Sequence, residues 1–457
     1  MFFSFNFLLT FFLLITLYYL PTSLDDFDSI TQQVFGFKKA MNETAPVKMN
    51  GFYANAVPIG KSFVMSAFNT SNLPVLSTLA TEFALFDSWY VSIPTCTNPN
   101  REMAMSGTSN GYVTNTIPDV GFPQMTHFKF LEQYNISWKI HYEDDQWMAP
   151  CFADLREPSR VARTQELSYF FQDIAQGTLS NYTWLQPRMA TSKNGPSNWQ
   201  HPDASVEAGE QLLSDVYSAL RSSPYWEESA LIITFDEHGG FGDHKHTPTE
   251  GIPSPDGIIA DNGFDFSRLG VRVPTVVVSP WVERNSVIHE PTGSQLTTPT
   301  SHFEGTSTLA TANRIFGIDA NLTKRDAWTA RFDNIFNTGK LRKDCPMTMP
   351  AVRPITAETL AKEMLFPLND HHYGSLNLLC YLTNNLHSVC KDFNDKKAQS
   401  DFVSSLGEKT ISEDEWSLAS EFPHLLPAAA MRLKQQHFEL CSKPMTVAWR
   451  SKVLEST

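Results

Sequence analysis

The chain has 457 residues and a formal net charge of −14. This length allows one large α/β domain and a smaller appendage. An acidic chain without a long basic run lacks the clustered Lys and Arg that nucleic-acid binding requires, so we expect no nucleic-acid partner.

Residues 1–20 are almost wholly apolar, and Pro21 ends any helix that they form. The segment predicts a secretory signal peptide or an N-terminal membrane anchor. It has neither a basic start nor a clear small-x-small cleavage motif, so the anchor stays open, and a buried N-terminal helix is a third alternative. A secreted or anchored glycoprotein is also indicated by sequons at Asn42, Asn69, Asn135, Asn181 and Asn321.

Strand-like and helix-like stretches alternate between about residues 51 and 335. The stretches with strand character are FALFDSWYVSI, ISWKIHY, LIITFDEH and VPTVVVSPWV. Helices are predicted at Arg101–Ser109 and Glu207–Ser222. This alternation predicts an α/β fold with a mainly parallel sheet between helices, in a domain of residues 22–340. The Pro- and Gly-rich stretch 246–267 predicts a long loop over the strand ends.

The segment PTCTNPNR, residues 94–101, follows a strand-like stretch and opens a predicted helix. A hydroxyl at a helix N-terminus faces unpaired N–H groups and a positive dipole end, which favour an alkoxide and a phosphate. Thr97 is the candidate nucleophile, and Asn100 and Arg101 are candidate phosphate ligands. The alternative is that Thr97 only caps the helix. Two other candidate nucleophiles lie nearby, Cys96 and Ser106.

A polar link, NWQHPD, precedes the long predicted helix. Its histidine, His201, is a candidate to donate to a phosphate or to bind a metal, although a loop histidine is usually only solvated. Arg272 is expected to belong to a scaffold ion pair. Three further polar residues are candidates to face the site: His289, His302 and Glu304.

The stretch IITFDEHGGFGDHKH, residues 232–246, predicts a buried strand that ends at a glycine-broken turn. In open α/β sheets, ligands collect at such strand ends. Adjacent carboxylates repel each other unless a cation or a hydrogen-bond network neutralises them, so Asp236 and Glu237 indicate a divalent metal whose identity the sequence does not set. The alternative is a solvated acidic loop.

The C-terminal region, residues 341–457, has helix-like periodicity with candidate N-caps at Thr356 and Ser412, and predicts a smaller helical appendage. The cysteine number is even and no CxxC pair occurs, which favours disulfides over zinc. Four of the six cysteines follow residue 340. The six are Cys96, Cys151, Cys345, Cys380, Cys390 and Cys441.

The order TxPNR, HP, DEHGGFxDH and RVPTVVVSPW resembles the phosphoesterase family of non-specific phospholipases C and related acid phosphatases, and is most similar to its plant-like phospholipase C branch. The resemblance runs from about Asp25 to the end and includes EQLLSDVYSALRSSPYW and TPTEGIPSPDG. It implies an alkaline-phosphatase-like core, with residues 22–340 as the catalytic domain. The roles that it implies are catalytic for Thr97, His201 and His238, substrate-binding for Asn100 and Arg101, and metal-binding for Asp236, Glu237 and Thr97.

The chain departs from the family pattern at three places. The family's first strand and its ENRSFDH motif have no counterpart in this chain. The apolar residues 1–20 occur in their place and could form the missing strand of the sheet. Asp25 and Gly305 each fall where the pattern has a histidine. Two explanations stay open, an enzyme with an incomplete or altered start and a member that binds without turnover, and the retained TxPNR and DEHGG favour the first.

We therefore expect phospholipase C-type cleavage of glycerophospholipids at a membrane surface. A metal would lower the pKa of Thr97, which would attack the phosphodiester, and His201 or His238 would protonate the leaving alcohol. The alternatives are an acid phosphatase that acts on small monoesters and a non-catalytic protein that binds lipid head groups.

Overall fold

The computed structural model describes residues 6–12, 26–36, 46–56, 64–143, 148–189, 191, 195–202, 204–336, 339–356 and 359, with the backbone alone for residues 6–12 and 148. In this part of the chain the strands are β1 Asn6–Phe12, β2 Ala84–Phe86, β3 Trp89–Tyr90, β4 Trp138–Tyr142, β5 Thr164–Glu166, β6 Tyr182–Gln186, β7 Ser229–Thr234, β8 Thr275–Val278, β9 Ser286–Ile288 and β10 Phe303–Glu304.

The α-helices of the same residues are α1 Phe27–Phe35, α2 Phe52–Asn55, α3 Pro74–Glu82, α4 Thr97–Ser106, α5 His127–Glu132, α6 Met148–Cys151, α7 Pro158–Val161, α8 Leu167–Gln176, α9 Val206–Arg221, α10 Ser307–Ile315 and α11 Lys324–Trp328. Short 3₁₀ turns lie at Ala153–Arg156, Trp226–Glu228, Gly293–Gln295 and Asp333–Phe336. The helix predicted at Glu207–Ser222 is confirmed within one residue. The other predicted helix begins four residues earlier than expected, at Thr97.

The main sheet has the strand order β5-β4-β6-β1-β7-β8-β2-β9. Its strands pair in parallel except for β8, which runs antiparallel to both β7 and β2. The predicted mainly parallel α/β fold is therefore confirmed. The stretch FALFDSWYVSI does not form one strand, because it divides into β2 of the main sheet and β3 of a second, two-stranded sheet with β10.

The apolar N-terminal stretch supplies a central strand of the main sheet. Strand β1 lies between β6 and β7, where Phe7 pairs with Tyr182 and Ala230, with a register shift near Leu9. This is the slot that the sequence left for a missing family strand. The prediction of a signal peptide or anchor gives the same residues another role and stays a prediction. Of the helices that the structure describes, none combines the length and the hydrophobicity of a membrane span.

Three strands of the main sheet are buried on both faces. Every residue of β6, β7 and β8 is buried, as the near-continuous apolar runs of two of these strands predicted. The three cysteines that the structure describes, Cys96, Cys151 and Cys345, are buried and not bonded to one another. The other three, with most of the predicted helical appendage, lie outside the described residues. At Thr356 the side chain accepts the N–H of Thr359 at 3.1 Å, as expected of an N-cap.

Candidate active site

The carboxyl end of β7 places two carboxylates inside the protein. The strand ends at Thr234, and Gly239 and Gly240 have φ values of 64° and 76°, so the chain turns back at once. Asp236 is 3% exposed and Glu237 is fully buried. The alternative of a solvated acidic loop is therefore wrong, and the two carboxylates need internal partners.

The N-terminus of α4 supports the candidate nucleophile. Thr97 is the first helical residue and is buried, while the N-cap position belongs to Cys96, which makes no side-chain cap. Asn115 accepts the N–H of Asn98 at 2.8 Å and does part of the capping. The reading of Thr97 as a mere N-cap is therefore wrong. Its side chain makes no hydrogen bond with the described residues.

Asn100 shapes the loop before α4. Its Nδ2 donates to the carbonyl oxygens of Ile93, Thr95 and Cys96 at 3.1, 2.8 and 3.1 Å. Its Oδ1 accepts the N–H of Ile93 at 3.0 Å. The amide is thus occupied in fixing the backbone that carries Thr97. Its predicted contact with phosphate stays a prediction, and it would require these hydrogen bonds to be exchanged.

A buried ion pair joins α4 to the end of β7. The Nε atom of Arg101 lies 2.9 Å from Oδ2 of Asp236, and both side chains are 1% exposed. On its other side Arg101 Nη1 points to the Met189 sulfur at 3.6 Å. Thr97 and Arg101 are four residues apart and share one face of α4, so this pair turns the face that bears Thr97 toward the Asp236 end of the sheet. The structure thus brings Thr97, Arg101 and Asp236 together in one region.

His238 is held in the neutral form. Its Nε2 lies 2.8 Å from Oε1 of Gln33, whose own amide nitrogen donates to Asn55. Gln33 Oε1 must therefore accept, which places the imidazole proton on Nε2. Burial lowers the pKa of His238 to about 4, although the charge of Asp243 acts in the opposite direction. A neutral imidazole whose N–H is already bonded is a poor proton donor for a leaving alcohol.

His201 lies in the link before α9 and is partly exposed. Its ring stacks on Trp199, with centroids 4.5 Å apart and planes at 16°. The neighbouring Gln200 has a φ of 58° and its side chain donates to the carbonyl of Val206, so the link is fixed to the first turn of α9. The ring is accessible and held in place. Its catalytic role stays a prediction.

The second aspartate of the DEHGGFGDH stretch belongs to the scaffold. Asp243 forms two hydrogen bonds with Arg272, at 2.7 and 2.8 Å, which confirms the scaffold ion pair expected for that arginine. His244 is 93% exposed in its side chain and lies at the surface. The remaining candidates pair locally: His289 with Asp87, His302 with Glu290, and Glu304 with Thr306.

The described residues do not fit a divalent metal centre. Among them, no three His, Cys, Asp or Glu side chains are grouped as a metal ion would require. Asp236 is engaged by Arg101, and Glu237 Oε2 accepts the N–H of Gly239 at 2.5 Å. The described part of the chain therefore contains the two carboxylates predicted to bind a metal, but it does not contain a complete set of metal ligands.

The position of Gly305 explains one departure from the family pattern. A Cβ at this residue would lie 2.5 Å from Oγ of Ser92 and 3.8 Å from the side chain of Ala104 on α4. Ser92 Oγ is buried and makes no hydrogen bond within the described residues. Any larger residue at 305, histidine included, would need this serine to move.

Three residues that hold the site were missed by sequence reasoning, namely Gln33, Asn115 and Met189. Gln33 and Met189 act on residues far along the chain, whereas Asn115 acts on the nearer Asn98. None of the three belongs to a pattern that indicates its partner. Gln33 is the one that the sequence could have singled out, because it lies within the part of the chain, from about Asp25 onward, that resembles the family.

Comparison with known proteins shows which proteins this chain is similar to. The model of the phosphoesterase family matches residues 18–319. Non-specific phospholipase C1 from Arabidopsis thaliana is 41% identical over 340 residues, which are 72% of this chain and 62% of that protein. Phospholipase C B from Mycobacterium tuberculosis is 27% identical over 315 residues, or 60% of this chain and 56% of that protein. The chain thus spans less than two thirds of the length of these relatives.

The similarity to solved structures is weak. A protein in the alkaline phosphatase superfamily from Vibrio parahaemolyticus covers 68% of this chain and 82% of its own, with 11% identity and a TM-score of 0.35. The lipoteichoic acid synthase LtaP from Listeria monocytogenes covers 58% and 69%, with 12% identity and a TM-score of 0.36. Scores this low carry no argument about function.

Proposed function

Because the chain belongs to the phosphoesterase family, we propose that it is a phosphoric ester hydrolase that cleaves glycerophospholipids as a phospholipase C does. The observation that carries the proposal is the buried Arg101–Asp236 pair, which turns the α4 face that bears Thr97 toward the end of β7. The relatives named as phospholipases C, from a plant and a bacterium, support the choice of a phosphodiester substrate.

In the proposed reaction, Thr97 loses its hydroxyl proton to water, its Oγ attacks phosphorus, and the bond from phosphorus to the glycerol oxygen breaks. That oxygen takes a proton and leaves as diacylglycerol, and water then hydrolyses the phosphothreonine to release the phosphorylated head group. Arg101 stabilises the charge on the phosphoryl oxygens. His201 is favoured over His238 as the proton donor, because His238 is neutral and its N–H is bonded to Gln33.

No step is assigned to a divalent metal, since the described residues do not form its ligand set. Where such an ion is bound in a phosphoesterase, it acts as a Lewis acid on the nucleophile and the phosphoryl oxygens. In this chain Asp236 and Glu237 are the residues nearest to that role.

The test is hydrolysis of phosphatidylcholine and of a simple phosphate monoester by the full chain, with Thr97→Ala and Thr97→Ser as matched variants. We expect diester cleavage that Thr97→Ala reduces by a factor on the order of 1,000 or more, while Thr97→Ser retains measurable turnover. Faster turnover of the monoester would favour an acid phosphatase. Folded protein that binds lipid head groups without turnover would favour a non-catalytic role.

A location in the secretory pathway is part of the proposal. Three of the predicted sequons, Asn69, Asn135 and Asn321, are exposed, and Asn181 is partly buried beside Ser137. We expect glycans on the exposed three when the chain enters that pathway. A glycosidase-dependent change in mass after expression in a secreting eukaryotic host would support this, and an unchanged mass would count against it.

A further inference from the structure

Both carboxylate oxygens of Asp236 are occupied inside the protein. Oδ2 accepts the Nε–H of Arg101 at 2.9 Å, and Oδ1 accepts the N–H of Glu237 at 3.1 Å. The guanidinium is a permanent positive charge, and both partners are almost fully buried. The negative charge of Asp236 is therefore balanced by a group of the chain itself.

The neighbouring carboxylate, that of Glu237, is hydrogen-bonded to the backbone of its own loop. Glu237 Oε2 accepts the N–H of Gly239 at 2.5 Å, and the positive φ values at Gly239 and Gly240 curl the backbone toward it. His238 Nδ1 lies 3.8 Å from the same oxygen, outside hydrogen-bond range. A cation between Asp236 and Glu237 would have to open this turn and also approach the charge of Arg101.

We infer that Arg101 takes, beside Asp236, the place that a divalent cation would otherwise occupy, and that the chain binds such a cation weakly for this reason. Asp236 and Glu237 could together bind a cation, and the charge of Arg101 opposes that binding. Displacing the guanidinium would leave a buried charge without a partner, and keeping it would place two cations side by side. Both costs disappear when residue 101 is neutral.

The experiment measures binding of Mn²⁺ and of Ca²⁺ to the full chain after dialysis against EDTA, by isothermal titration calorimetry. The variants are Arg101→Gln and, as a matched control, Arg272→Gln, which frees Asp243 in a different arginine–aspartate pair. We expect a wild-type Kd weaker than about 100 µM, a Kd at least about tenfold tighter in Arg101→Gln, and no change beyond about threefold in the control. Binding that is no tighter in Arg101→Gln overturns the inference.

Two further readouts cover the case in which Arg101→Gln is poorly folded. If the variant needs the added cation to fold, its melting temperature rises with the cation while that of the wild type does not, which supports the inference. If it does not fold with either ion, the wild type decides: one equivalent bound with a Kd tighter than about 100 µM overturns the inference, and weaker binding supports it. Neither readout depends on the hydrolysis proposed for Thr97.

Discussion

Two aspartates that follow strand β7, Asp236 and Asp243, each pair with an arginine, and the two pairs differ in burial. The side chains of Arg101 and Asp236 are each 1% exposed and share one hydrogen bond, whereas those of Arg272 and Asp243 are 21% and 13% exposed and share two. Arg272 also donates to the carbonyl of Asp87, so its pair braces a surface loop. The buried pair instead joins a helix N-terminus to a strand end. The difference shows that burial and position, more than residue type, separate the candidate site from its scaffold.

The largest effect should come from removing the aspartate charge of the buried pair. The same change in the other pair serves as the comparison. Asp236→Asn removes the carboxylate charge that is paired with the buried Arg101, and we expect the free energy of unfolding to fall by about 3–5 kcal/mol. Asp243→Asn affects a pair that water can reach, and we expect a loss of about 1 kcal/mol. Urea denaturation of both variants measures the difference. Equal losses would break the comparison.

The packing beside the buried pair is tested by Gly305→Ala. The added Cβ would meet Ser92 Oγ at 2.5 Å, and we expect a loss of about 1–3 kcal/mol in stability. Ser92→Ala removes the atom that is met, so the double variant should recover most of the loss. Thermal unfolding of the two single variants and the double variant gives the coupling. A neutral Gly305→Ala would show that this region yields more easily than its geometry indicates.

The partly buried pair of Arg272 and Asp243 should contribute to stability in a pH-dependent way. Burial alone would raise the pKa of Asp243, but the hydrogen bonds and charge of Arg272 outweigh it and hold this pKa below its ordinary value of 3.8. The unfolded chain therefore takes up the proton first, so the contribution is present above pH 3.8 and is lost as the pH falls through the lower, folded value. The stability difference between wild type and Asp243→Asn should be smaller at pH 3 than at pH 5. A constant difference in urea denaturation would contradict this.

The smallest effect is expected at His244, which lies 3.6 Å from Asp243 but is 93% exposed. His244→Ala should change the free energy of unfolding by less than about 0.5 kcal/mol and leave hydrolysis unchanged. A clear loss of activity, measured on the same phosphatidylcholine substrate, would return this histidine to the candidate site.

Local patterns predicted the parts of the fold that depend on local physics. The apolar run 231–235 and the paired glycines sufficed to predict a buried strand that ends at the turn bearing Asp236 and Glu237, and the Pro and hydroxyl residues near Thr97 predicted a helix N-terminus. Strand direction was not predictable from such patterns. VPTVVVSPWV has the same apolar character as a parallel strand, yet β8 runs antiparallel to both of its neighbours.

Contacts between distant residues account for the remaining differences. Arg101 and Asp236 are 135 residues apart, so a sequence reading gave each its own ligand, phosphate for one and a metal for the other. In the structure the two side chains form an ion pair with each other. In the same way, Asn100 was expected to face a phosphate, but it is held by backbone carbonyls of the loop that it follows. Residue type indicated the chemistry of these side chains, whereas the direction in which each one points depends on the assembled fold.

The position of β1 has a consequence for the order of folding. Its partners are β6 and β7, around residues 182 and 229, so β1 can take its place in the sheet only after strands that lie far downstream in the chain have been made. Such long-range pairing gives a high contact order and slow folding. Until β1 arrives, β6 and β7 present unpaired edges and the leader presents bare apolar surface. We therefore expect the newly made chain to depend on chaperones, and to be most prone to aggregation before β1 is in place.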